Sequence, residues 1–151
     1  MSSSFKHVEG KFKIKTAQQF DADIKRKLPI RLAAQAEKHF RSGFEKGGGQ
    51  TDDSRGGWTA RKKSEKGGRR GILIKSGTLR RDVKQRKAGF NNIEVGTSAR
   101  TVAYAQVHND GLRSGRGKGF TMPQREFIGH SSVLEARNMQ VIKGHLKRML
   151  I

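Results

Sequence analysis

Apolar positions recur at helical spacing toward both ends of the chain and alternate with polar ones in its middle. Residues 11–15 alternate lysine with Phe12 and Ile14, as a strand would, and run directly into a helical pattern. From Thr16, an N-capping residue type, Phe20 and Ile24 stand four apart on one helix face. Pro29 predicts a break near Leu28 and the start of a second helix, because proline suits a first turn and disrupts a helix interior. That second helix carries Leu32, Ala33, Ala36, Phe40 and Phe44 along one face and stops at the glycines of residues 47–49.

The stretch from Gly43 to Gly71 holds nine of the 19 glycines and many charges, which predicts a mobile segment that buries little. The exception is Trp58, the single tryptophan, whose large apolar area favours a core anchor over a stacking platform. Beyond it, Ile72 and Ile74 form a short apolar pair, and residues 76–81 read as a turn feeding a helical turn or a strand start. Residues 82–87 and 91–97 predict two strands joined as a hairpin through residues 88–91. The apolar stretch 102–107 fits either a helical turn, with Tyr104 and His108 on one face, or a strand. Residues 111–119 form a glycine-rich basic loop carrying Arg113, Arg116 and Lys118. Ser132 and Glu135 have the capping-box spacing, and Met139, Ile142, Leu146 and Met149 then predict the apolar stripe of a C-terminal helix.

These elements make an α+β fold: N-terminal helices, a small antiparallel sheet, a C-terminal helix packed on the sheet, and a long basic glycine-rich loop. With 151 residues, a single domain spanning 1–151 is expected, with flexible loops at 46–71 and 111–121. No stretch approaches a membrane span, and residues 1–6 lack the apolar core of a secretory signal. Cysteine is absent, which removes disulfides and thiolate chemistry and fits a reducing cytosol. A soluble intracellular product, with no membrane partner, is the expectation.

Charge narrows the choice of partners. Lys and Arg number 33 against 13 acids, a net charge of +20. Residues 55–87 hold 13 of those bases and only the acids Glu65 and Asp82, a local +11. Such a field favours a polyanion or an acidic protein surface. One aromatic among so many bases points to phosphate contacts without base reading, so Arg61, Lys62, Lys63, Arg69 and Arg70, with Arg113, Arg116 and Lys118, are the candidate DNA-facing residues.

Catalytic chemistry finds little support. His7, His39, His108, His130 and His145 show no metal-ligand spacing, and the 13 acids form no evident pair for acid–base work. The string His108-Asn109-Asp110 reads as an ordinary turn rather than a nuclease site, and residues 115–119 lack the spacing of a phosphate-binding loop. No catalytic residue, cofactor or metal is expected.

Four blocks in order carry a resemblance. Trp58 precedes Leu73-Ile-Lys-Ser-Gly77-Thr-Leu79-Arg80; Ile93-Glu-Val-Gly96-Thr97 and Tyr104-Ala-Gln-Val-His108-Asn-Asp-Gly111 follow; Met122-Pro123-Gln-Arg125-Glu-Phe127-Ile128-Gly129 is last. Over roughly residues 28–148 this resembles the virion morphogenesis, or tail-completion, family of tailed bacteriophages, departing from it at Asn109 and Leu112. The resemblance implies a non-enzymatic virion protein forming a homo-oligomeric ring at the head–tail junction, assembled in the bacterial host cytoplasm. Its implied partners are itself, other neck and tail proteins, and the genomic DNA passing through the channel. A free, sequence-independent nucleic-acid-binding protein is the alternative. Trp58, Gly77, Leu79, Arg80, Tyr104, His108, Gly111, Pro123, Arg125 and Phe127 are then expected to hold the fold or a subunit contact.

Overall fold

A computed structural model describes residues 16–60, 71–98, 100 and 104–150. The alternating segment 11–15 and the bases Arg61, Lys62, Lys63, Arg69 and Arg70 lie outside the described residues.

Helix α1 spans Ala17–Lys46 without interruption. Thr16 caps it: the Thr16 hydroxyl accepts from Gln19 N while the Gln19 side chain accepts from Thr16 N, a reciprocal capping box. The break expected at Leu28 is absent, and Pro29 sits inside the helix. The bond that proline forfeits would run to the carbonyl of Lys25, an exposed residue, so water can take the place of the missing donor. Leu28 and Pro29 are themselves buried, and that packing holds the two halves in line. Gly47, left-handed at φ 74°, ends the helix.

The short helix α2, Thr78–Asp82, settles the open reading of residues 76–81 in favour of helix. Strands β1, Lys84–Ala88, and β2, Ile93–Gly96, pair antiparallel as the expected hairpin. Its first strand starts later than expected because Asp82 belongs to α2 and is buried, where it accepts from Ser98 N at 2.6 Å and from Arg86 at 3.0 Å. The register shifts between Gln85 and Lys87, leaving Arg86 as the extra residue of a bulge. Its guanidinium folds back onto the Asp82 carbonyl at 2.8 Å and the Gly96 carbonyl at 3.2 Å.

Helix α3, Ala105–Asp110, makes the described part of the 102–107 stretch helical, residues 102–103 lying outside the described residues. Strands β3, Arg113–Ser114, and β4, Phe120–Thr121, form a second small hairpin within the basic glycine-rich stretch.

Helix α4, Ser132–Leu150, closes the chain. Its N-terminal side-chain cap comes from Ser131 rather than Ser132: Ser131 Oγ accepts from Leu134 N at 3.2 Å, and Glu135 turns to His130 instead. Leu134 and His145 are buried while Met139 is 54% exposed, so the face turned inward is offset from the expected apolar stripe. The main contacts of α4 are with α1, which also carries the β1–β2 hairpin. The class is α+β, with α1 as the shared support for both.

The core gathers Ala36, Phe40 and Phe44 from α1 with Trp58, Leu79, Val83, Ala105, Phe127 and Leu134. The glycine-rich stretch after α1 contributes more than one anchor. Gln50, Thr51 and Ser54 are buried along with Trp58. Thr51 and Ser54 satisfy each other through paired hydroxyls at 2.7 Å, which allows small polar residues to be buried cheaply.

Candidate functional site

Leu79, Ala105 and Phe127, one from each of three of the four blocks, share the buried core with Trp58. Its indole packs edge-on against Phe44, centroids 5.4 Å apart, and Phe44 in turn meets Phe127 at 5.5 Å. Trp58 Nε1 donates to the Glu126 carbonyl at 2.8 Å. Next along the chain, the Thr59 carbonyl accepts from Arg125 Nε at 3.2 Å, and Arg125 N donates to the His108 carbonyl at 2.8 Å. Asn109 Oδ1 accepts from the amides of both Phe127 and Ile128, at 3.0 and 3.1 Å. This side chain fixes residues 127–128. Pro123 sits in the extended approach to Arg125, just after Met122 N bonds the Leu112 carbonyl at 3.1 Å.

Beside this junction lies a pocket of about 490 Å³ lined by residues 73–79 together with Tyr104, His108 and Arg125. Gly77, Leu79, Tyr104, His108 and Arg125 are all among the residues the sequence singled out. Leu79 is 1% exposed and forms the deep end. Leu73 stands at φ 61°, the one non-glycine residue with positive φ among those described. A left-handed leucine costs about 1–2 kcal/mol, so the surrounding packing must hold this wall in place. Gly77, at φ 75°, starts α2, and Ser76 Oγ and Thr78 Oγ1 bond each other at 2.8 Å.

Tyr104 is 47% exposed and meets His108 edge-on at 5.7 Å. Burial, reinforced by the Arg125 cation, pushes the His108 pKa down, so the ring is neutral near pH 7. Its Nδ1 is buried with no hydrogen-bond partner. Gly111, at φ 66°, ends α3 and turns the chain into the β3–β4 hairpin. Arg80 lies apart from this pocket and pairs with Glu45 of α1.

A family model described as the phage virion morphogenesis family matches residues 13–150, nearly the whole chain. The chain belongs to the phage virion morphogenesis family. No curated protein and no solved structure is significantly similar to it. For a member of this family, the pocket and the exposed hairpin are the parts that packing alone does not explain.

That hairpin brings Arg113, Arg116 and Lys118 together at the surface, all exposed, beside Phe120, which is 58% exposed. Among the described residues, no group of His, Cys, Asp and Glu could hold a metal ion, and no helix is long and apolar enough to cross a membrane.

Two polar centres were not singled out in the sequence. His39 is buried, and Nε2 donates to the Gln50 carbonyl at 2.7 Å with Ser131 Oγ at 3.0 Å, while Nδ1 accepts from Arg137 at 3.3 Å. These roles require the neutral Nε2–H ring, in line with a pKa pushed down by burial. Asp52 receives Arg55, the amide and hydroxyl of Ser132, and His130 Nδ1. The Arg55 guanidinium, aided by the Ser132 and His130 donors, holds its carboxyl well below the usual carboxylate range. The two centres tie His39 of α1 and Asp52 of the loop after it to the start of α4, 92 and 80 residues further along the chain, a separation no local motif reveals.

Proposed function

We propose that this virion assembly protein is a tail-completion component that forms a closed ring at the head–tail junction, with DNA passing through the ring. The role is structural rather than catalytic. The observation that carries the reading is the match of nearly the full chain to a virion morphogenesis family. Charge and surface support the finer statement. A net charge of +20 suits a wall facing DNA, and Arg113, Arg116 and Lys118 stand together on an exposed hairpin. Ile30, Phe90, Val133 and Met139 are each more than half exposed, in keeping with contacts to neighbouring subunits. A ring requires two different, complementary patches on each copy, which such scattered apolar positions can supply. We extend the DNA-facing role to Arg61, Lys62, Lys63, Arg69 and Arg70.

The same charge favours a second reading, a free nucleic-acid-binding protein. Electron microscopy of particles made by a phage lacking this chain separates the two. The assembly role predicts that filled heads and tails accumulate unjoined; normal joined virions would favour the free binder.

A further inference from the structure

The β3–β4 hairpin carries an aromatic ring that its charge does not account for. Between Ser114 and Phe120, which face each other in the register, Arg116 and Lys118 are the only residues other than glycine. The Gly119 amide donates to the Arg116 carbonyl at 3.3 Å and closes the turn, leaving both cations exposed on a tip that is otherwise bare backbone. Arg113 lies along the same tip, since a Cβ at Gly119 would come within 3.3 Å of Arg113 Nε. Among the described residues, Arg113, Arg116 and Lys118 have no hydrogen bond or ion pair through their side chains, and no acid stands between Asp110 and Glu126 in the sequence. Phe120 is 58% exposed. One edge of its ring rests over Gly115, where a Cβ would lie 3.5 Å from ring Cδ1 and Cε1.

We propose that this hairpin binds unpaired DNA, with Phe120 as the platform on which a base stacks and Arg113, Arg116 and Lys118 on the flanking phosphates. A phenyl ring left in water gains free energy only by meeting another apolar surface. A base offers that surface, and the phosphates on either side of it offer the charge that three unpaired cations lack. Within a duplex each base is covered by its neighbours, so the cations bind there and the ring gains nothing. A second copy suits the hairpin poorly, because each copy brings a net charge of +20. Stacking reads no sequence, since every base has a π-face. The inference rests on the DNA-facing reading of this hairpin and narrows it to a class of DNA.

The test is fluorescence anisotropy of the full chain with a mixed-sequence single strand, the matching duplex, an abasic strand of the same length and polyglutamate. Phe120→Ala should weaken binding of the single strand about tenfold and change binding of the duplex by less than about twofold. Phe120→Trp should bind the strand at least as well as the unaltered chain. The abasic strand, which has the phosphates and no bases, needs no variant and should bind the unaltered chain about tenfold more weakly than the ordinary strand. Serine at Arg113, Arg116 and Lys118 should lower the salt slope with strand and duplex alike. Stacking is overturned if the abasic strand binds as tightly as the ordinary one, or if Phe120→Ala spares the strand or weakens strand and duplex equally, while a lowered salt slope would still leave the DNA-facing reading standing. An unchanged salt slope in the serine variant takes the hairpin off the DNA and overturns both. A tenfold loss in Phe120→Ala that appears with polyglutamate as well would give the surface to an acidic protein instead.

Discussion

Trp58 Nε1 donates to the Glu126 carbonyl at 2.8 Å, fastening the loop after α1 to the approach of α4 across 68 residues. Because the indole also meets Phe44, the contact joins a polar fastening to the apolar core. Trp58→Phe keeps most of the area and loses the bond, an expected cost of about 1 kcal/mol. Trp58→Ala opens a cavity and should cost about 3–5 kcal/mol. Denaturant unfolding of both variants measures the difference. Equal costs would show that the carbonyl contact carries the whole effect.

Gly77 and Gly111 both hold positive φ, and their replacement by alanine separates backbone strain from crowding. Each should lose about 1–2 kcal/mol from the left-handed backbone alone. At Gly111 the new Cβ would also lie 2.9 Å from Gln124 Cβ and 3.1 Å from that residue's backbone. At Gly77 it meets only the tip of the Arg81 side chain, at 3.0 Å, which can swing away. Thermal denaturation should therefore rank Gly111→Ala as clearly the worse of the two.

Acid should loosen the structure through its buried histidines. Burial pushes His39, His108 and His145 below their ordinary value of 6.5. Over the interval between the folded and unfolded values the unfolded chain binds more protons, so stability is whole above about 6.5 and falls as pH drops toward the folded values. His130 acts oppositely: Asp52 and then Glu135 push its pKa up, so its contribution is present at low pH and lost as pH rises through the folded value. With three buried rings against one exposed one, melting temperature should fall between pH 7 and pH 5. His39→Gln should shrink that fall, and an unchanged acid slope in this variant would remove His39 from the account.

Binding to duplex DNA should be weak, indifferent to sequence and steeply lost with salt, as counterion release requires. Serine at Arg113, Arg116 and Lys118 should lower the slope of log K against log salt by up to about 2.7, if all three bases meet phosphates. The fold should be unaffected, since exposed charges contribute little to stability. Fluorescence anisotropy across a salt series measures it. An unchanged slope would place the DNA-facing charge elsewhere on the chain.

Local chemistry made the hairpin, the Thr16 cap and the end of α1 at Gly47 legible in the sequence, because each depends on residues within a few positions of one another. Pro29 misled because helix continuity there depends on the burial of Leu28 and Pro29, a tertiary matter. The capping-box spacing of Ser132 and Glu135 pointed to the wrong serine for the cap of α4. The structure resolves it through His39 bonding Ser131 and Asp52 bonding Ser132, partners far away in the chain. The order of the four blocks revealed the family, and the pocket shows why several of their residues belong together. Its Lys75, Ser76 and Thr78 lay within a quoted block, yet nothing local distinguished them from turn residues.

The central claim is a ring of this protein around DNA at the head–tail junction, and a cryo-electron microscopy reconstruction of the intact virion tests it most directly. The account predicts a closed ring of several copies there, with Arg113, Arg116 and Lys118 turned toward the channel. A virion without the protein at that junction, or with a single copy, would contradict it.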